Sequence, residues 1–262
     1  MPTPDRRLTT VEPNIAAPPV QVIILAAGMG TRLGRSTPKP LTPLHDGRTI
    51  MERQVDNLRA VLGEDVDITA VVGFQCEAIM AAAPELRFAY NGEYEWTNTS
   101  KSLLRGLGRT RPGGVLWLNG DVVFDPAVLE LALPALRADE SFVCVDTAVV
   151  GEEEVKYTLD GSGFVAELSK TVTGGLGEAV GINYVSGADK ALLLEHLAAC
   201  ADSDYFERGI ETAIADTGQR WRPLDISGLP AVEVDFETDL ERANTLVVEP
   251  RALLGEGAAA AG

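Results

Sequence analysis

Cysteine is scarce in this chain and shows no pattern. Cys76, Cys144 and Cys200 are odd in number and far apart, which fits neither a disulfide framework nor a zinc spacing. They are expected to be buried free thiols of a reducing, cytoplasmic compartment. Histidine is scarcer still, so a reaction that depends on a histidine general base has only His45, in a loop, and His196, in an amphipathic helix, to draw on. Basic residues are outnumbered, with 22 Lys and Arg against 39 Asp and Glu, and the formal charge of −17 argues against nucleic acid or an anionic membrane as partner. A single nucleotide is not excluded, because local basic groups and a divalent cation can reverse the field inside a cleft. Long apolar runs are also missing, so neither a secretory h-region nor a membrane span is expected.

What the chain does contain points to one globular unit. Hydrophobic residues make up 45% and charged residues 23%, the ordinary balance of a soluble domain with a substantial core. Residues 1–20 carry five prolines and few core formers and read as a flexible leader. Residues 248–262 end in a Gly/Ala-rich flexible tail, which leaves 21–247 as the domain. Thr49 is placed to cap a helix through Leu62 that Gly63 ends; Ile68–Val72 and Arg87–Tyr90 read as strands with a short helix, Gln75–Ala82, between them. With Val22–Leu25 in front, the order is βαβαβ, which predicts a doubly wound, mostly parallel α/β sheet whose ligand site lies at the carboxyl ends of its strands. A strand at Val115–Leu118 follows, then helices at Pro126–Leu136, Asp189–Ala199 and Tyr205–Asp216, and a short strand Val232–Asp235 before a helix capped by Thr238. Phe142–Asp146, Val155–Leu159 and Phe164–Leu168, joined by turns such as Asp160-Gly161-Ser162-Gly163, suggest a small antiparallel substrate or lid region.

The organising stretch is Val22-Ile23-Ile24-Leu25-Ala26-Ala27-Gly28-Met29-Gly30-Thr31-Arg32-Leu33, followed by Pro38-Lys39-Pro40-Leu41. Its unbroken apolar run marks a strand buried on both faces. Ala26, Ala27, Gly28 and Gly30 then leave the backbone nearly bare, so that N–H groups can surround an anion. Arg32 and Lys39 add fixed positive charge beside that cradle. Two other glycine loops do not fit. After Gly28 and Gly30 the next glycine is Gly34, one residue late for a dinucleotide fingerprint, and Lys39 stands between prolines instead of in the Gly-Lys-Ser/Thr ending of a P-loop. A bare Gly-x-Gly is often only a tight turn; Arg32 and Pro-Lys-Pro turn the reading toward a phosphate grip.

Leu25-Ala26-Ala27-Gly28-x-Gly30-Thr31-Arg32-Leu33 with Pro38-Lys39-x-Leu41 resembles the signature of the sugar-phosphate and phosphocholine nucleotidylyltransferases. Those enzymes have a Rossmann-like α/β fold and join a nucleoside triphosphate to a phosphorylated small molecule. The molybdopterin guanylyltransferases open similarly but carry two glycines where this chain has Ala27-Gly28. Within the family, Leu118-Asn119-Gly120-Asp121-Val122-Val123-Phe124 and Glu154-Val155-Lys156 are more similar to the phosphocholine and phosphonate cytidylyltransferases than to the glucose-1-phosphate enzymes. CTP is therefore the first-choice nucleotide.

Carried over residue by residue, the resemblance implies nucleotide contacts from Leu25, Ala26, Ala27, Gly28, Met29, Gly30 and Thr31. Arg32 would hold the β- and γ-phosphates, and Lys39 would neutralise the α-phosphate or the attacking group. Asn98, close to Ser102-Leu103, and Ser100 are candidates to bond the base or substrate; on the residues alone, Thr99 or Ser100 reads equally as a helix cap. Asp121, just past a central strand, and Asp235, before the closing helix, match the family's Mg²⁺ ligands. Each also reads as an ordinary turn or helix-start acid, as does Asp239. Glu167-Leu168-Ser169-Lys170 resembles the family's Glu-Lys element, whose lysine holds the acceptor's phosphate. Glu178-Ala179-Val180-Gly181-Ile182-Asn183-Tyr184 resembles its small-x-x-Gly-Ile segment returning to the sheet. Taken singly, Lys156 and Lys170 are ordinary solvated lysines. For an acceptor that bears an ammonium group an acidic or aromatic cage is expected, with Asp146, Glu178 and Tyr184 as candidates and Lys156 beside them.

The implied reaction is in-line attack by a phosphate or phosphonate oxygen on the α-phosphorus of the triphosphate, expelling pyrophosphate. Such an oxygen is already largely ionised near neutral pH, its second pKa being about 6, so no strong general base is needed. The poverty in histidine agrees. The implied partners are a nucleoside triphosphate, a small phosphorylated or phosphonate acceptor, and Mg²⁺. A sugar-1-phosphate nucleotidylyltransferase using UTP, GTP or ATP, and a non-catalytic nucleotide-sensing domain, are the alternatives; a sensor has no need for two metal carboxylates. Glycosyl transfer from a nucleotide sugar is set aside, because Asp121-Val122-Val123-Phe124-Asp125 lacks the Asp-x-Asp spacing.

Overall fold

The computed structural model describes residues 19–148 and 154–247. The leader, save Pro19 and Val20, and the tail expected from the sequence lie outside the described residues. The chain runs β1 (Gln21–Ala26), α1 (Ile50–Leu62), β2 (Asp67–Val72), α2 (Cys76–Ala82), β3 (Arg87–Tyr90), α3 (Thr99–Leu107), β4 (Val115–Asn119) and β5 (Val122–Phe124). It continues through α4 (Ala127–Arg137), β6 (Phe142–Asp146), β7 (Lys156–Leu159), β8 (Val165–Ser169), β9 (Glu178–Val185), α5 (Lys190–Ala199) and α6 (Phe206–Thr217). It ends with β10 (Arg222–Asp225), β11 (Ala231–Glu233) and α7 (Glu237–Val247).

The main sheet has the order β10-β6-β9-β4-β1-β2-β3. Pairing is parallel from β4 through β1 and β2 to β3, and between β6 and β10, while β9 runs antiparallel to both its neighbours. The result is the expected α/β, mostly parallel, doubly wound sheet, with the β7–β8 hairpin as its small antiparallel part. From β1 the chain first winds outward to β2 and β3 and then crosses back to β4. The β1/β4 boundary is thus the point where strand order reverses, and a crevice opens there at the carboxyl ends.

The residues of β1 alternate between the two faces as a strand must. Val22, Ile24 and Ala26 pack with Met51, Val55 and Leu58 of α1, Ile79 of α2, and Val128, Leu129 and Ala132 of α4. Ile23 and Leu25 pack on the other face with Leu103 and Leu107 of α3, Leu193 and Leu197 of α5, and Phe206 and Ile210 of α6. On α5 the buried side is carried by Leu193 and Leu197, and Leu192 is exposed. Helix α1 begins with the full capping box: Thr49 Oγ1 accepts from the Glu52 N–H and the Glu52 carboxylate accepts from the Thr49 N–H. It ends at Gly63 with φ +98°. Two strands had no clear sequence signal. β5 is three residues long and finds its partner in β11, while β10 contains Pro223 and lies at the sheet edge, where a missing N–H is tolerated. A satellite core of Leu33, Leu44, Ile50, Val123, Val232, Val234 and Leu240 fastens the β5–β11 pair and α7 to the loop after β1. The cysteines are free, but only Cys144 is buried, Cys76 and Cys200 being half-buried. Among the described residues no helix is long and apolar enough to cross a membrane.

Candidate active site

The crevice is built where β1 and β4 end. The Gly120 N–H donates to the Leu25 carbonyl (2.9 Å) and the Phe74 N–H to the Ala27 carbonyl (3.1 Å), so the two flanking connections grip the end of β1. Gln54 Nε2, on α1, donates to the carbonyls of Asn119 and Val122, both at 2.8 Å, and fixes the turn that presents Asp121. Leu25, Ala26 and Ala27 are buried, whereas Gly28 and Met29 are exposed. Gly30 has φ +57°, and a Cβ there would lie 3.0 Å from Cβ of Lys39, so glycine is required twice over. The N–H groups of Gly28, Met29 and Gly30 meet no backbone or side-chain acceptor among the described residues. With Gly28 and Met29 exposed, these are free donors at the end of β1, of the kind that binds an anion.

Lys39 opens a single 3₁₀ turn, Lys39–Leu41, held between Pro38 and Pro40. Its Nζ lies 2.7 Å from Asp121 Oδ2 and 2.5 Å from Asp235 Oδ1. Arg32 donates to the other oxygen of Asp235 at 2.8 Å. The Val234 N–H donates to the Asp121 carbonyl (3.0 Å), which is how two aspartates distant in sequence come to face one ammonium. Asp239 is a helix-start acid: its Oδ2 accepts from the N–H groups of Phe236 (2.8 Å) and Asp235 (3.2 Å) and so orients the Asp235 segment. Burial alone would lower the Lys39 pKa, but Asp121 and then Asp235 outweigh it and hold the ammonium above its ordinary value.

A third acid was missed in the sequence. Glu233 Oε1 accepts from Asn119 Nδ2 at 3.1 Å, and burial, then the nearby charges of Asp121 and Asp235, push its carboxyl well up. The available signal was the alternation Val232-Glu233-Val234-Asp235, which puts Glu233 and Asp235 on one side of the chain.

The other expected residues divide by strand direction. Lys170 follows β8, Lys156 opens β7, Glu178 opens β9 and Asp146 closes β6. Register pairs Lys156 with Ser169 and Glu178, and Glu178 with Asp146, so all four gather at the carboxyl edge. Asp146 Oδ1 accepts from the Ala148 N–H and from Ser227 Oγ. Tyr184 is not brought there. Because β9 runs antiparallel, Tyr184 pairs with Leu116 and Phe142 near the amino ends of β4 and β6, and its hydroxyl donates to Asp139 at 2.6 Å. Its place as an acceptor residue is corrected accordingly. Asn98, not Thr99 or Ser100, caps α3: its Oδ1 accepts from the Thr99 N–H and its Nδ2 donates to the Ser203 carbonyl. Ser100 is fully buried and its Oγ has no partner among the described residues. A separate groove of about 380 Å³ lies at the amino edge, where Arg59, Asp67, Glu85, Arg87 and Arg111 of its lining pair with one another (Arg87–Asp67, 3.2 Å; Arg111–Asp67, 3.1 Å; Arg59–Glu85, 3.5 Å) while Glu64 and Asp65 also line it.

A doubly wound sheet with a bare-backbone loop at its switch point, flanked by Arg32, Lys39 and two converging aspartates, defines an α/β domain of the nucleotidyltransferase class. The chain belongs to the MobA-like NTP transferase domain family, whose model matches residues 22–220. A CMP-5'-(3-aminopropyl)phosphonate synthase of Streptomyces rubellomurinus is 29% identical over 90% of this chain, and the chain spans 40% of that protein's length. A bifunctional protein GlmU of Cellvibrio japonicus is 34% identical over 39% of the chain and 22% of its own length. In fold, the chain is similar to the inositol-1-phosphate CTP transferase from T. maritima, with TM-score 0.71 at 17% identity over 89% of this chain and 98% of the other. It is likewise similar to the CTP:phosphocholine cytidylyltransferase from Streptococcus pneumoniae, with TM-score 0.68 at 18% identity over 87% and 99%.

Proposed function

We propose that this domain transfers CMP from CTP to a small phosphonate or phosphate acceptor and releases pyrophosphate. The carrying observation is the convergence of Lys39, Arg32, Asp121 and Asp235 beside the open N–H groups of residues 28–30. The choice of CTP and of a phosphonate is supported by the likeness to a CMP-aminopropylphosphonate synthase over most of this chain. The loop N–H groups and Arg32 bind the β- and γ-phosphates. Lys39 spreads the charge where the α-phosphate and the attacking oxygen meet, and Lys170 orients the acceptor's anionic end. Since that oxygen is already ionised, the site's work is to bring two anions together in line.

Mg²⁺ fits the donor set, because two carboxylates already face a single cation, the ammonium of Lys39. Asp121 and Asp235 would hold it. Among the described residues no cluster of three or more potential protein ligands occurs, which suits an ion that completes its shell with substrate phosphates and water. When bound, it would supply further neutralisation of phosphate charge.

The test is a grid of CTP, UTP, GTP and ATP against 3-aminopropylphosphonate, phosphocholine and a hexose 1-phosphate, read by pyrophosphate release. The fastest release is expected from CTP with the phosphonate. Release confined to a hexose 1-phosphate with another nucleotide would overturn the assignment in favour of sugar-nucleotide synthesis, and release from no pair would overturn the catalytic reading.

A further inference from the structure

Residues 28–37 bridge the end of β1 and the turn that carries Lys39. Apart from a single 3₁₀ turn, Thr31–Leu33, they make no backbone–backbone hydrogen bond with the rest of the described residues, so the shape of this loop depends on a few outside holds. Leu33 is seated in the satellite core, while Arg32 on Asp235 (2.8 Å) and Arg35 on both oxygens of Glu237 (3.1 Å each) tie the loop to the start of α7. Both ion pairs are exposed, and such pairs contribute little. On the proposed reading, moreover, Arg32 leaves Asp235 for the triphosphate. The base of the loop is held differently. The Phe74 N–H donates to the Ala27 carbonyl (3.1 Å), and the next residue, Gln75, donates from Nε2 to the Ser36 carbonyl (2.7 Å), so two adjacent residues fasten both ends of the loop. This clamp has no slack on its inner side: a Cβ at Gly73 would lie 2.6 Å from Cβ of Tyr94 and 2.8 Å from the Ala27 oxygen. It is also strained, since Gln75 has φ +44° and ψ +45°, the left-handed region that a side chain disfavours. Glycine would enter that region freely, and the one hydrogen bond that the glutamine side chain makes among the described residues is the bond to Ser36. Strain of this kind persists where the surrounding structure over-determines it, and it points to a use.

We propose that Gln75 is a positioning residue for the triphosphate. By closing the base of the loop it keeps the free N–H groups of Gly28, Met29 and Gly30 in one arrangement, ready for the β- and γ-phosphates, while Arg32 changes partner. Gln75 itself touches no phosphate; it acts through the Ser36 carbonyl. A loop ordered beforehand does not have to be ordered by its ligand, and the difference is read as affinity. The phosphate part of this assignment rests on the nucleotidyl-transfer reading; the hold on the loop does not.

Two measurements on the full chain test it. The loop contains two trypsin sites, after Arg32 and after Arg35, whereas Lys39 is followed by Pro40 and resists cleavage. Q75G relieves the left-handed backbone and removes the side chain; Q75E keeps its length and loses the donor. In the free protein, cleavage at the two arginines, followed by mass spectrometry, should be about fivefold faster in both variants, the size of one lost hydrogen bond. Calorimetry with Mg²⁺ then compares a non-reactive CTP analogue with CMP. The unaltered protein should prefer the triphosphate, and that preference should fall about fivefold in both variants, with CMP binding little changed. Q75G should keep or raise the Tm, so a lost preference without lost stability separates positioning from a merely structural role. Unchanged cleavage in both variants, or faster cleavage with undiminished preference, overturns the proposal. The two readings fail differently: an unaltered protein that binds CMP as well as the triphosphate analogue overturns nucleotidyl transfer and the phosphate part with it, whereas unchanged cleavage overturns the hold on the loop whatever the protein binds.

Discussion

Replacing Lys39 by methionine removes one ammonium and keeps most of the side chain's bulk. In the native structure that ammonium lies 2.7 Å from Asp121 and 2.5 Å from Asp235; the lysine side chain is 10% exposed and the two aspartate side chains 20% and 22%. Without it the two carboxylates face each other in a place that water only partly enters, with the raised acid Glu233 close by. Breaking a fully buried pair costs about 3–5 kcal/mol; with a fifth of each carboxylate still wet, about 2 kcal/mol is the expected loss. For a domain of this size that is a fall in Tm of roughly 4–8 °C. The loss is electrostatic, so another cation can return it. On the proposed reading, Mg²⁺ raises the Tm of K39M markedly and that of the unaltered protein little, because there the ion must displace an ammonium. Mn²⁺ binding followed by electron paramagnetic resonance should be tighter in K39M, while CMP transfer falls by about a hundredfold or more. The sign with pH follows from the raised Lys39 pKa. The pair's contribution is complete below the ordinary lysine value of 10.5 and is lost as pH climbs through the raised one, so the Tm gap between the two proteins is flat around neutrality and narrows only in strong alkali. An equal Mg²⁺ effect on both proteins, or an unchanged Tm in K39M, would refute the idea that lysine and metal compete for one pair of carboxylates.

Three further outcomes are expected. D121A should lower pyrophosphate release from CTP by about a hundredfold or more, and normal release in the presence of Mg²⁺ would remove Asp121 as a metal ligand. Glu207 gives a pH dependence of the opposite sense. Its folded pKa of about 7 lies above the ordinary 4.5, so the unaltered protein carries no penalty below about 4.5, loses stability from there to about 7 and holds a deficit of about 3 kcal/mol above that. E207Q should therefore be the more stable protein in mild alkali, with the Tm gap closing in mild acid; a pH-independent gap would sink this account. Gly181 has φ +66°, and a Cβ there would lie 2.6 Å from Asn119 Nδ2, the group that donates to Glu233. G181A should cost about 2–3 kcal/mol in urea unfolding, and an unshifted midpoint would show that Asn119 has room to move.

The sequence disclosed most where the chemistry is local. The bare backbone of residues 26–30, the prolines around Lys39 and the Thr49 cap act within a few residues of themselves, and the strand-helix alternation sufficed for the sheet. It disclosed least where a residue's meaning depends on a distant partner or on direction. The segment from Glu178 to Tyr184 was legible, through its resemblance, as one that returns to the sheet, but nothing in it says that it runs antiparallel, and that alone separates Glu178 at the site edge from Tyr184 at the far one. Three adjacent residues, Asn98, Thr99 and Ser100, are all good caps, and only the contact with residues 202–206 selects Asn98 and buries Ser100. Glu207 reads in sequence as one more helix acid. Its isolation follows from how α6 packs on α3 and β8, which no local pattern encodes.

That isolation bears on where the domain spends its stability. At the amino edge of the sheet the polar side chains are matched: Asp67 takes Arg87 and Arg111, Glu140 takes Arg222, and Asp139 takes Tyr184 and the Gly187 N–H. At the carboxyl edge Lys39, Arg32 and Asp146 are matched too, but other groups are not. Glu207 and Ser100 carry orphaned oxygens, Asn119 Oδ1 has no partner among the described residues, and Glu233 is buried beside two like charges. Trp117 Nε1 and Asn183, opposite one another in mid-sheet, are also orphans, and nothing in the structure explains them. A fold stabilised for its own sake would repair the carboxyl edge first, since each repair there is worth about 1–3 kcal/mol. E207Q should therefore gain stability in mild alkali, whereas substitutions among the matched pairs of the amino edge should lower it.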